Sequence, residues 1–119
     1  IETAMSVPSG KAVFHMPDTD SVINPYDHTD HRIAAGIALE ATNMLAERTK
    51  ACYNIALHVD YHTENLPENI TGKDAQNEAA LVGAYCLALL DYNAWPEWGD
   101  IYQKWTTRNY SRTVSTCDK

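Results

Sequence analysis

His28-Thr29-Asp30-His31 has the spacing in this chain best suited to chemistry. If the segment opens a helix, positions i and i+3 share a face and both imidazoles address one point in space. The positive end of a helix dipole disfavours imidazolium, and neutral imidazole is the form that binds a metal. Asp30 can hydrogen-bond one ring and fix its tautomer, as carboxylates behind metal-bound histidines do. Tyr26, two residues before His28, can bring a hydroxyl to the same pocket. A catalytic zinc takes three protein ligands and keeps one position open, so this segment supplies about half of such a site.

Two other groups have ligand spacing. His15-Met16-Pro17-Asp18 is an H-x-x-D string at the end of an expected strand, and His15 and Asp18 with His31 would make a ligand set. His58, Asp60 and His62 fall on alternate positions of a second expected strand, hence on one of its faces. Strand alternation generates such trios freely, and a polar sheet edge accounts for this one as simply as a metal does.

These residues need elements to hold them. Lys11 to His15 reads as a short strand closed by Pro17. Residues 16–27 carry two prolines, an asparagine and three aspartates and read as a long loop, a length more often functional than idle. Asp27 or Thr29 can cap the helix that follows, with Ile33, Ile37, Ala41 and Met44/Leu45 as its core-facing stripe and its end near Thr49-Lys50. Ile55, Leu57, Val59 and Tyr61 alternate with Ala56, His58, Asp60 and His62, which predicts a strand from Ile55 to Tyr61. After a turn-rich Asn65–Gly72, Asp74 can cap a second helix. Ala79 to Leu90 is apolar almost all round, the pattern of a buried helix, in which Tyr85 is expected in the core and Lys73 on the surface. Pro96 should break it, ahead of a short helix from Glu97 to Thr107; Trp95, Trp98 and Trp105 could line a sugar pocket or an interface, packing being the more frequent use of such residues. Tyr110 to Val114 is a last strand or a tail. Strand alternating with helix predicts an α/β fold with a parallel sheet, whose working groups lie at the carboxyl ends of the strands.

Composition sets the limits. The 119 residues suffice for one modest core, as a single or partial domain over 1–119. A formal net charge of −7 without a basic run argues against a nucleic-acid partner. No apolar run reaches the roughly 20 residues that span a bilayer. Cys52, Cys86 and Cys117 are odd in number and lack metal spacing, so the sequence implies neither a disulfide framework nor a zinc knuckle. Asn69-Ile70-Thr71 and Asn109-Tyr110-Ser111 fit the glycosylation sequon, a triplet common by chance. The compartment is left open.

Asp27-His28-Thr29-Asp30-His31-Arg32, followed by a helix of small residues, resembles the H-P-D-H-R segment of the PIG-L/LmbE family of zinc-dependent N-deacetylases, with Thr29 in place of the usual proline. The order of elements that follows is similar to the family's C-terminal half, and the likeness runs from residue 11 to about 114, as pattern rather than motif beyond the H-T-D-H segment. The resemblance implies the C-terminal part of a Rossmann-like fold acting on an N-acetylated sugar or similar amide. It implies His31 as a zinc ligand, His28 as the oxyanion-stabilising or acid group, and Asp30 as its orienter. The family's general base and two other zinc ligands belong to an upstream A-H-P-D-D motif, and no H-P-D-D occurs in this sequence. The expectation is therefore a C-terminal portion that holds Zn2+ once another segment or an N-terminal partner chain completes the site, and that has little activity alone. The alternative is a non-catalytic fragment whose apolar sheet edge drives homo-oligomerisation or partner binding.

Overall fold

Phe14 and Met16 alternate with His15 along β1 (Val13–Pro17), and Ile55 and Leu57 flank Ala56 along β2 (Asn54–His58). In the computed structural model, which describes residues 12–93 and 103–118, these strands pair in parallel with Phe14 opposite Ile55 and Met16 opposite Leu57. The third strand, β3 (Ser111–Ser115), pairs with the other side of β2, giving the order β1-β2-β3. It runs antiparallel, so the sheet is mixed and the all-parallel expectation is corrected. The local cause is visible at Val59, whose amide donates to Tyr110 O at 2.9 Å. The chain thus enters β3 beside the carboxyl end of β2, and from there only the antiparallel sense keeps it in the ladder.

Helix α1 (Thr29–Thr49) crosses one face of this sheet. Ala35 packs with Met16, Ile55 and Leu57, and Phe14, Ala38, Leu39 and Val114 close around them. Thr42 and Leu45 continue the buried face. The expected stripe is therefore misplaced: Ile33, Ile37 and Met44 lie on the outer side, with Ile37 67% exposed, whereas Leu45 is buried. Periodicity fixes a spacing but not a rotation about the axis, and Ala35 and Ala38 let the helix approach the sheet more closely than isoleucines would. The helix ends as expected, at Lys50 in the left-handed region (φ 55°) with its N–H on Ala46 O.

β2 ends at His58, three residues before the expected Tyr61. Asp60 N leaves the ladder for Asn24 Oδ1 at 3.0 Å, and a 3-10 turn, Tyr61–Asn65, follows. His58, Asp60 and His62 consequently share no strand face. Within β2 the alternation holds: Ile55 and Leu57 pack with Ala35 of α1, while Ala56 lies on the other face with the exposed His15 and Thr113, though it is itself buried.

The chain divides into two compact units, one reaching His62 and resuming at Tyr110, the other Thr63–Asn109. The second contains α2 (Gly72–Asn93). Its apolar run is not buried as expected: Cys86 is inside, but Leu81 and Leu87 are 73% and 62% exposed and Tyr85 stands half out. Lys73 is exposed as expected. In the same unit the amide of Asn69 is used at both ends, donating to Asn109 O at 2.7 Å and accepting from Asn109 N at 2.8 Å. Lys104 stands 4.7 Å over the Trp105 ring. Trp95, Pro96 and Trp98 lie outside the described residues.

Cys52 and Cys117 form a disulfide, against the sequence expectation, and Cys86 is a buried thiol. The β2–β3 register places Asn54 opposite Ser115, and two residues further out it brings Cys52 opposite Cys117 with Cα atoms 5.5 Å apart.

Asp18 follows β1 and is fully buried. Arg112 of β3 grips it with both arms, Nε to Oδ2 at 2.6 Å and an Nη to Oδ1 at 3.0 Å. This guanidinium holds the Asp18 carboxyl below its ordinary value of 3.8. A depressed folded pKa gives stability that is complete above the unfolded value and drains as pH falls below it. Asp18→Asn is expected to cost about 2–3 kcal/mol at neutral pH, less than a fully buried pair because Arg112 is partly in water. It should also flatten the loss of stability below about pH 4. Urea melts from pH 7 to 3 check this, and coincident wild-type and variant curves would refute it.

Candidate metal centre

Residues 18–28 are held less by secondary structure than by three buried polar side chains. Asp18 O accepts from Asn24 Nδ2 at 3.1 Å, and Asp18 Oδ1 accepts from Asp20 N at 3.0 Å. Asn24, itself fully buried, also donates from Nδ2 to Asp27 Oδ2 at 3.0 Å and accepts from Asp60 N. Arg32 reaches back from α1 to Asn24 O at 2.9 Å. One amide thus fixes the loop before α1 and the loop after β2 relative to each other. Both loops leave the carboxyl ends of parallel strands, where α/β sheets keep their working groups.

Asp27 and Asp60 converge from these loops on His31. Its Nδ1 lies 2.8 Å from Asp27 Oδ1 and 3.0 Å from Asp60 Oδ2. The Asp27 side chain is wholly buried, whereas those of His31 and Asp60 are each 36% exposed. The hydrogen bond that His31 donates to Asp27 raises the His31 pKa, and the charges of Asp60, Asp27 and Asp30 add to the effect. Burial raises the Asp60 carboxyl, against a lowering by His31. Burial also raises Tyr61, whose ring centroid stands 5.3 Å from that of His31. Two carboxylates on one imidazole leave the cluster negative even when the ring is protonated.

One ligand atom from each of Asp27, His31 and Asp60 lies within 4.8 Å of the others, so this group could hold a metal ion. Ligand atoms at about 2.0–2.2 Å from a common ion in adjacent positions stand about 3 Å apart, the spacing observed around Nδ1. Nitrogen with two carboxylates suits zinc and other borderline divalent ions.

His28 is the N-cap of α1, a place the sequence had assigned to Asp27 or Thr29. Its Nδ1 accepts from Asp30 N at 3.2 Å. An accepting Nδ1 puts the proton of the neutral ring on Nε2. The Asp30 carboxylate lies 3.5 Å from the same Nδ1 and is largely in solvent. The carboxylate that orients a histidine by a short contact is therefore Asp27, on His31. The His28 and His31 rings are 5.8 Å apart, so the spacing does bring them together. Tyr26 is 88% exposed, on a left-handed backbone (φ 62°), and Tyr61 stands beside the His31 ring.

The other sequence groupings separate. Asp18 is taken by Arg112, and His15 lies against His58 with Nδ1 2.9 Å from Nε2. Neither completes a set with His31. His62 is in the 3-10 turn with Nδ1 buried and without a hydrogen bond. Sequence reasoning missed Asn24 altogether and gave Asp27 only a capping role. The available signal was Asp27 four residues before His31, an i,i+4 pair.

No helix among the described residues is long and apolar enough to cross a membrane. No family model matches this chain, and neither a curated protein nor a solved structure matches it.

Proposed function

We propose that this chain is the C-terminal portion of a zinc-dependent N-deacetylase of the PIG-L/LmbE type, acting on an N-acetylated sugar or similar amide. The carrying observation is the convergence of Asp27 and Asp60 on His31 beside a His28 whose tautomer is set by its own helix. Among the residues present, His31 with Asp27 and Asp60 would hold the ion. When bound, Zn2+ would polarise the amide carbonyl and lower the pKa of water. His28 contributes an Nε2–H donor fixed by the Asp30 amide on its Nδ1, suited to hydrogen-bonding the oxygen that gains charge as the amide is attacked. Without the ion, Asp27 holds the His31 ring in orientation through Nδ1, and Asn24 holds Asp27. Asp30, in the first turn of α1, interacts favourably with the helix dipole.

In this reading the donor set, but not the whole catalytic apparatus, lies within the chain. Purified 1–119 saturated with zinc is expected to release no measurable acetate from N-acetylglucosamine-type amides. A longer chain with an upstream H-P-D-D segment is expected to be active and to lose about 10²–10³ in kcat with His28→Ala. Turnover by 1–119 itself would overturn the missing-half reading. A longer enzyme indifferent to His28 would overturn the assigned role.

The outer face of α1 favours a second reading, an association module, because Ile33, Ile37 and Met44 form an exposed apolar row at helical spacing. A zinc site that depends on His31 separates the first reading from the second. The Cys52–Cys117 bond supports an oxidising compartment under either.

A further inference from the structure

His15 and His58 supply no ligand atom to the Asp27–His31–Asp60 centre, although the charge of His58 acts on Asp60, and the sheet holds the two rings against each other. In the β1–β2 register His15 is opposite Ala56 and His58 opposite Pro17, so the two histidines lie one diagonal step apart on one face. Their rings stack at 5.1 Å between centroids with 27° between planes. His15 Nδ1 and His58 Nε2 are 2.9 Å apart. His15 is exposed and His58 partly so. Without a cation, one proton shared between the nitrogens satisfies the contact.

We propose that His15 and His58 form a second cation site, a two-imidazole chelate for a late first-row divalent ion. Two nitrogens about 2.0–2.1 Å from one ion in adjacent positions stand about 2.9–3.4 Å apart, and the observed 2.9 Å separation falls at the short end of that range, with the rings turning to aim both lone pairs at the ion. Both residues belong to hydrogen-bonded parallel strands, so the chelate is preorganised and little backbone freedom is lost on binding. Imidazole favours copper, nickel and zinc over magnesium or calcium, and Cu2+ ranks highest among the divalent ions at such a site. The exposure of His15 leaves the remaining coordination positions to water. A site of this kind takes up a borderline metal ion at the carboxyl end of β1 and β2, using no residue of the first centre.

Cu2+ is the probe. Electron paramagnetic resonance of the copper-loaded chain is read in wild type, and in a His31→Ala background so that the first centre contributes no nitrogen. A two-nitrogen signal is expected in both. His15→Ala or His58→Ala should reduce it to one nitrogen and weaken copper binding by more than the roughly 10–100-fold that losing a mere supporting partner costs. His15→Gln keeps a polar group beside His58 and should lose the copper equally, which separates chelation from packing. Copper bound unchanged in the His15 and His58 variants would overturn the site, as would a signal that disappears with His31→Ala alone. A result of either kind leaves the zinc reading of the first centre untouched, since that rests on His31.

Discussion

Titrated with Zn2+, the chain is expected to bind one ion at Asp27, His31 and Asp60, and His31→Ala to weaken that binding by more than about 100-fold. The size follows from charge and geometry. His31 supplies the one nitrogen of the set and separates two carboxylates, at 2.8 and 3.0 Å from its Nδ1. Removing the ring deletes a ligand and leaves two negative groups facing each other. The fold should survive, because Asp27 still accepts from His28 N at 2.8 Å and from Asn24 at 3.0 Å. Asp27→Asn is the graded companion: it keeps an acceptor for His31 but loses the charge, and sets a second amide donor against Asn24. An affinity loss of about 10–100-fold is expected there. Calorimetry measures both affinities in a His15→Ala background, which silences the second site, and zinc bound there equally well after His31→Ala would remove the centre from consideration.

Loss of the Cys52–Cys117 bond is expected to destabilise the sheet by about 4 kcal/mol, from the chain entropy released over a sequence separation of 65. Against the roughly 5–15 kcal/mol that stabilises a typical domain, that is a large share. The bond links the outer ends of β2 and β3, where Tyr53 O also accepts from Thr116 N at 3.0 Å. It therefore clamps the side of the sheet opposite the metal centre. Cys52→Ser should lower the midpoint of the sheet unit's thermal transition by about 15–30 °C. Reductant should lower the wild type similarly and leave Cys52→Ser unmoved. Equal midpoints for the oxidised and reduced wild type would show that the bond contributes nothing. The exposed positions of Cys52 and Cys117 make the reduction experiment practicable without unfolding.

The sequence reading was strongest where the signal is local. The helix following His28, its end near Lys50, and the strands near Phe14 and Ile55 follow from short-range pattern, turn residues and helix termination, whereas the segment near Val114 was open between strand and tail until its pairing with β2 made it a strand. The position of the His28–His31 pair at the opening of a helix does too, since i and i+3 sides meet by helix geometry alone. It was weakest where burial had to be assigned. Ile33 and Ile37 have the right spacing for a core face, but Ala35 takes it, because the choice between two stripes depends on what the helix lies against. The run from Ala79 to Leu90 looked buried because composition cannot tell how much covering surface a unit possesses. The 55–61 alternation holds only as far as His58, because Asn24 draws Asp60 out of the ladder.

What the amino-acid sequence determined by itself was the pairing of two imidazoles at a helix start and the strand–helix order that carries them to the end of a sheet. Both arise from separations of a few residues, over which backbone geometry leaves little choice. Tertiary structure decided which carboxylates join them: Asp27 through a buried amide contact, Asp60 from a loop beyond β2, and neither Asp18 nor Asp30. It also decided that His15 faces His58 and that Cys52 meets Cys117. Those contacts depend on strand register and on buried polar bonds between residues far apart in the chain, and no local spacing encodes either.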